Sequence, residues 1–384
     1  MRRLARLREV ASLRSGTTPS RKRPEYFDPN GTCWVKTGDL TNGEVASTSE
    51  LVSDIALTEC GLTVHPPDTV LVSMYGGFAQ IGRTGLLKVP AATNQAIMAI
   101  RCNSDLVHPK YLQVVLNSRV SYWKRIAGSS RKDPNITGAD VGAFPLDLPT
   151  LQEQVSVVAV ERSLSRVSEV LLHLATTKRQ FKLGLAHRLF EDVDSCLSAE
   201  HLGRHAAEVT SRNTLGLSRD RVMGVIKGVG LVPMRERIRV GDLARYKDVP
   251  PDAFAYNPMR INIGSIARNT SDKACLVSPD YVVFQTDPDS LLPEYLDQLR
   301  HTRLWQNHMD RAGAGGVRIR IYFRDLAEIR VPLPSLEEQR KIANLLSSLD
   351  HEIATLERLA DAYAKLRSAL LDKLLSGEIP IPAS

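Results

Sequence analysis

Four groups of basic residues carry the most pointed chemistry in this chain: Arg21-Lys22-Arg23, Lys124-Arg125 with Arg131-Lys132, Arg235-Arg237-Arg239, and Arg318-Arg320 with Arg324. They fall where the pattern predicts loops. Cations there can neutralise phosphate, and arginine can also pair bidentately with guanine in a major groove. In Val317-Arg318-Ile319-Arg320-Ile321-Tyr322, alternation predicts a strand with both arginines on one face. Gly128, Ser129, Ser130 and Asn135 suit close backbone approach and hydrogen bonding to phosphate. Three polar stretches offer groups for base edges: Tyr75-Gly76-Gly77, Thr93-Asn94-Gln95 and Tyr256-Asn257-Pro258-Met259-Arg260. Asn and Gln in particular can pair with adenine. Taken singly, a solvated polar face is the plainer reading of any one basic cluster. Asn94 and Gln95 read equally as caps of the apolar strand they begin, and Tyr75 and Tyr256, placed in roughly equivalent loops, equally as packing residues. What raises the binding reading is that basic clusters follow two matched positions, Ala127-Gly128 and Ala312-Gly313.

No motif for catalysis accompanies these groups. The sequence has no GxxxxGK[ST] loop, no GxGxxG after a strand, no HExxH, no GxSxG and no Cys/His set at zinc spacing. Pro251-Asp252 and Pro279-Asp280 lack the acid-x-lysine of a metal-dependent nuclease. Asn257-Pro258 is not followed by the Pro-aromatic step of an amino-methyltransferase. No catalytic residue, cofactor site or metal site is expected, which favours a binding protein.

The 384 residues suggest two or three domains, with a formal net charge of +7, a mild pointer to an anionic partner. Five scattered cysteines and no CxxC pair suit a reducing compartment. Met1-Arg2-Arg3-Leu4 lacks the apolar region of a leader, and no apolar run approaches a membrane span, so a soluble cytoplasmic protein is expected.

The elements that must position these groups are repeated. Pro149-Thr150-Leu151-Gln152-Glu153-Gln154 returns 185 residues later as Pro334-Ser335-Leu336-Glu337-Glu338-Gln339, with Leu148 and Leu333 before each. Proline followed by acidic residues starts a helix, and each stretch runs about 40 residues, or about 60 Å at 1.5 Å per residue. Val160, Leu164, Val167, Leu171, Leu174, Phe181 and Leu185 in the first, with one skip at Lys178, and Leu345, Leu349, Leu356, Leu359, Tyr363, Leu366 and Leu370 in the second, with Glu352 the polar exception, step by threes and fours. Such seams ask for a partner helix. We expect Leu164, Leu171, Leu174, Leu349, Leu356 and Leu359 to pair the two helices.

The segments before the helices echo each other at an offset of 184 to 185: His65-Pro66-Pro67-Asp68 with Val249-Pro250-Pro251-Asp252, Pro109-Lys110-Tyr111-Leu112 with Pro293-Glu294-Tyr295-Leu296, and Asp140-Val141 with Asp325-Leu326. The chain therefore reads as a tandem duplication. The expected fold class is α+β: two β-rich globular domains, residues 1–147 and 197–332, separated by two long antiparallel coiled-coil helices, 148–196 and 333–384 with its tail. The expected outline is a dumbbell with an internal pseudo-two-fold repeat.

This order, β-rich domain, Leu-Pro-x-Leu-x-Glu-Gln helix, second β-rich domain and second such helix, resembles the DNA-specificity subunit of type I restriction–modification systems over essentially the whole chain. Leu148–Gln154 and Leu333–Gln339 carry the resemblance most specifically. Thr93-Asn94-Gln95-Ala96-Ile97 and Ser278-Pro279-Asp280-Tyr281-Val282-Val283-Phe284 support it. The resemblance implies that each domain reads half of a split double-stranded DNA target. It implies that the helices act as a ruler and dock two methyltransferase subunits, and that restriction subunits with a translocating ATPase join that core. S-adenosylmethionine, ATP and catalysis would belong to partners. The candidate DNA contacts are Arg21, Lys22, Tyr75, Asn94, Gln95, Lys124, Arg125, Arg131, Lys132, Tyr256, Asn257, Arg260, Arg318 and Arg320. A coiled-coil scaffold without a DNA role, or a stand-alone nuclease with an unfamiliar site, are the competing readings.

Overall fold

The computed structural model describes residues 3–128, 135–196, 199–234, 242–312 and 320–381, and the chain divides into two compact units, Met1–Val170 with Leu359–Ser384, and Leu171–Arg358. The first unit is built on a five-stranded sheet in the order Ala11–Ser15, Ile97–Cys102, Val70–Ser73, Thr84–Leu87, Glu44–Val45. All its pairs are antiparallel except the last, which is parallel. The central strands are apolar at consecutive positions because both faces are covered. Val70, Val72 and Ile100 pack with the helices Pro109–Ser118 and Val120–Gly128, while Leu71 and Ala99 pack with Val35, Leu40 and Leu87. A smaller sheet, Leu51–Val52, Phe27–Val35, Ala91–Thr93, surrounds a satellite core at Trp34. Strand Arg3–Arg6 pairs with Pro145–Leu148, which feeds the first long helix.

The second unit has a four-stranded antiparallel sheet in the order Ala206–Glu208, Val282–Thr286, Phe254–Tyr256, Ile266–Arg268. Its core stacks Phe254 on Phe284, ring centroids 5.0 Å apart, beneath Tyr295, Trp305 and Met309. The duplication is visible in the register. Val70 pairs with Ile100, and Phe254 pairs with Phe284, each 184 positions on. The Pro-Pro-Asp turn before each central strand holds its aspartate left-handed, with Asp68 at φ 63° and Asp252 at φ 62°. Aspartate tolerates that conformation better than most residues with a Cβ.

The repeated helix-opening motif has a physical reading. Thr150 and Glu153 cap one long helix reciprocally, with the Thr150 amide donating to Glu153 Oε2 at 2.7 Å; Ser335 and Glu338 repeat this at 3.1 Å. The glutamines are buried and point back into their own unit. Gln154 Oε1 accepts the His108 amide at 2.8 Å, and its Nε2 donates to the Leu106 and Pro149 carbonyls. Gln339 makes the matching set with Leu292, Ser290 and Pro334. Tyr111 and Tyr295 donate to the Asp147 and Pro332 carbonyls, each at 3.0 Å.

The long helices are Leu151–Cys196 and Leu336–Ser376. They run antiparallel within each unit. In the first, Arg367 donates to Ser165 Oγ at 2.8 Å and Ser168 to the Ala360 carbonyl at 3.2 Å. In the second, Lys178 pairs with Glu352, Lys182 with Asp350 and Arg179 with Glu357. The paired side differs from the expected seam. Leu164, Leu171, Leu349 and Leu356 are half-buried on it, but Leu174 is 42% and Leu359 44% exposed, against 1% for Ala175 and 2% for Ala360. Small residues are the buried ones at these two places, and the leucines beside them are exposed. No helix among the described residues is long and apolar enough to cross a membrane.

Candidate nucleic-acid interface

In the first unit, the candidate groups collect at one end of the central strands. The chain leaves strand Val70–Ser73, and the Met74 amide donates to the Ala96 carbonyl at 2.8 Å. The following loop exposes Tyr75 and Phe78 around Gly76 and Gly77, both at positive φ. Beside it, Asn94 Oδ1 accepts the Ala96 amide at 3.1 Å, so this side chain caps the turn into strand Ile97–Cys102. Gln95 is exposed and accepts a hydrogen bond from the Thr18 hydroxyl. The loop bearing Thr18 is held close: the Thr17 amide donates to the Thr93 carbonyl at 3.0 Å, and a Cβ on Gly16 would stand 1.9 Å from that oxygen. Only glycine fits there. The loop continues to Arg21, which forks onto Glu50 at 2.7 and 3.1 Å and lies over the Phe27 ring. Lys36, then Arg21, hold the Glu50 carboxyl below the usual range. Arg21 is thus partly neutralised in place, whereas Lys22 is exposed at the turn. Lys124 and Arg125 are exposed on helix Val120–Gly128. A Cβ on Gly128 would stand 3.9 Å from the Phe78 ring, so the loop aromatic sits beside the end of this basic helix. Arg131 and Lys132 lie outside the described residues.

The second unit repeats the arrangement. The Ile136 amide donates to the Met74 carbonyl at 3.0 Å, and the Ile321 amide donates to the Pro258 carbonyl at 3.0 Å. This one latch, recurring at the same offset, holds the loop after each central strand. In the second unit that loop exposes Met259, Arg260 and Ile263, and the latch brings exposed Arg320 and Tyr322 alongside. Asn257 Oδ1 accepts the Met259 amide at 2.9 Å, which shapes the turn.

Two placements correct the sequence reading. Tyr256 is the last residue of its strand and is fully buried, with its hydroxyl pushed above the usual tyrosine range by burial. It occupies the register of Val72, so the residue equivalent to Tyr75 is Met259. A loop reading of Tyr256 missed that strand Phe254–Tyr256 extends to it. Among the described residues the expected strand across Val317–Tyr322 is not formed: Arg320–Tyr322 is irregular and leads into the short helix Phe323–Ala327, whose capping box uses Asp325. Arg318 lies outside the described residues. Phe78, Ile263 and Tyr322 also belong to the exposed faces. Of these, Tyr322 is legible in the offset as the partner of Thr137, since each amide donates to the matched aspartate three residues on.

The family model described as the type I restriction modification DNA specificity domain matches residues 4–170 and 259–362, well over half of the chain. The specificity subunit of the MjaIX type I restriction enzyme from Methanocaldococcus jannaschii is 27% identical over 160 residues, which is 40% of this chain and 36% of that protein. The match thus spans about a third of that relative's length. A solved structure from work on the assembly and conformational transition of a type I R-M system superposes with a TM-score of 0.63 at 19% identity over 98% of both chains. The type I S subunit from M. genitalium superposes at 0.58 and 14% identity, covering 98% of this chain and 96% of that one. These likenesses establish a shared fold. The latched loops, the paired glutamines and the family match lead to one assignment: the chain belongs to the type I restriction–modification DNA specificity family.

Proposed function

We propose that this chain is the specificity subunit of a type I restriction–modification complex, reading a bipartite target in double-stranded DNA with one half assigned to each β-rich domain, residues 1–147 and 197–332. The observation that carries the reading is the repeated latched loop, which exposes Tyr75 and Phe78 in one copy and Met259 and Arg260 in the other, each beside further cations. Two copies of one surface suit a target in two parts. The proposed contacts are Arg21, Lys22, Tyr75, Gln95, Lys124, Arg125, Arg131 and Lys132 in the first copy, and Asn257, Arg260, Arg318 and Arg320 in the second. Asn94 acts by shaping its turn. Cations supply most of the affinity through phosphate, while side chains in the groove supply discrimination.

The helical segments 148–196 and 333–384 serve as spacers. Their outward residues, Leu174 and Phe181 on one helix and Leu345, Leu359 and Leu366 on the other, are exposed. Apolar helix surface of this kind is what a partner covers, and two methyltransferase subunits are the proposed occupants. Restriction subunits join the same cytoplasmic assembly. Methyl transfer and cleavage belong to those partners, and this chain contributes recognition without a cofactor of its own.

Mapping modified bases in cells that express the chain with its methyltransferase tests the proposal. A split motif is expected, and exchange of residues 197–332 for those of a relative should alter one half alone. Modification at a continuous motif, or a change in both halves, would overturn it.

A further inference from the structure

We infer that the hairpin Met223–Pro233 is an additional reading element of the second unit, a β-ribbon whose tip enters the major groove and sets Ile226 and Val229 against thymine methyl groups. The inference rests on the function proposed above. Strands Met223–Ile226 and Gly230–Pro233 pair antiparallel, with Val225 opposite Leu231 and Ile226 opposite Gly230. The root is anchored. Met223, Val225 and Leu231 pack against the small core of Val249, Val277 and Val283, and the Val225 amide donates to the Tyr281 hydroxyl at 3.4 Å. The tip is open: Ile226 is 50% and Val229 69% exposed, with Lys227 between them and Gly228 turning the chain at φ 74°. Two β-branched apolar residues at a hairpin tip contribute nothing to the core beneath it, since the alternation has already spent Met223, Val225 and Leu231 on that face.

Position decides what the tip would meet. A Cβ on Gly264 would stand 3.6 Å from the Lys227 methylenes, so the tip overhangs the latched loop that carries Arg260 and Ile263. The apolar tip is therefore set among exposed cations, Lys227 and Arg260, with Arg320 brought to the same loop by the Ile321–Pro258 hydrogen bond. A protein partner would suit the apolar side chains, but the flanking cations favour a polyanion. A major groove about 12 Å wide admits a two-stranded ribbon, and its only apolar group is the C5 methyl of thymine. The lysine would reach phosphate while its neighbours read the methyl.

The test uses the full-length chain, alone and assembled with its methyltransferase, on duplexes selected from a randomised pool. The parent should enrich a split motif with at least one thymine in one half. Replacing that thymine by uracil should weaken binding about threefold to fivefold, the worth of one buried methyl group. Ile226→Ser/Val229→Ser should bind thymine and uracil duplexes equally, with the parent's dependence on salt. Lys227→Gln should instead lower the salt slope and keep the thymine preference. A double variant that still prefers thymine, or a parent that never does, overturns the hairpin assignment while leaving the proposed function standing. A double variant that keeps its DNA selection but loses the methyltransferase would give the hairpin to a protein partner. Failure of every form to bind duplex DNA would overturn the proposed function itself.

Discussion

Gln154 Oε1 accepts the His108 amide at 2.8 Å, across 46 residues of sequence, and thereby ties the first turn of one long helix to the entry of the helix Pro109–Ser118. Gln339 ties Leu292 in the same way at 2.9 Å, at the entry of Pro293–Leu299. A neutral side-chain amide suits the place because it offers an acceptor and two donors without charge: the oxygen takes an amide and the nitrogen serves two carbonyls.

The first prediction concerns this tie. Gln154→Ala leaves the His108 amide and the Leu106 and Pro149 carbonyls without their buried partner, at about 1–3 kcal/mol for each group that water does not reach. A clearly lower denaturant midpoint is expected, with Gln339→Ala behaving alike. A midpoint within experimental error of the parent would show that the tie is not structural.

The second separates the paired side of the helices from the outward side. Ala175→Asp places a carboxylate at a position 1% exposed and should cost several kcal/mol, whereas Leu174→Asp, one residue earlier and 42% exposed, should change stability by about 0.5 kcal/mol or less. Thermal unfolding of the two variants checks it. Equal losses would mean that Leu174 is as deeply buried as Ala175.

The third concerns Tyr256. Its hydroxyl is buried with no hydrogen-bond partner among the described residues. Tyr256→Phe should therefore keep DNA affinity and leave stability unchanged or raise it by up to about 1–3 kcal/mol, because an unpaired hydroxyl no longer loses its water. Arg260→Ala should weaken binding and flatten its salt dependence. Titrations at two salt concentrations distinguish the cases; a loss of affinity in Tyr256→Phe would return that tyrosine to the interface.

The fourth is a pH dependence. Burial, then Arg14, lowers the His65 pKa below the usual histidine value. The folded chain therefore holds His65 neutral where the unfolded chain takes up a proton. Stability is full above the unfolded value, about 6.5, and falls as pH drops toward the folded one. His65→Gln should flatten urea midpoints between pH 7 and the acid limb. An undiminished slope would place the acid sensitivity elsewhere.

Much of this molecule was legible along the chain. The Pro-x-Leu-x-Glu-Gln repeat, the Pro-Pro-Asp turns and the Pro-x-Tyr-Leu helix starts are local signals with local causes: caps, left-handed aspartates, and prolines at first helical positions. Their constant offset established the duplication, and the motif carried the family resemblance. Two things depended on tertiary structure. Spacing by threes and fours marks several apolar stripes on a long helix, and only the neighbouring helix decides which is covered. Here Ala175 and Ala360 are buried, and Leu174 and Leu359 are left exposed. Likewise, a tyrosine after a short β-rich run reads equally as a loop residue or the end of a strand. Pairing of Tyr256 with Val282 and Ile266 put it in the core, and the latch from Ile321 to Pro258 chose Met259 and Arg260 for the surface. Local chemistry sets where elements begin and turn, but burial is decided by partners distant in sequence.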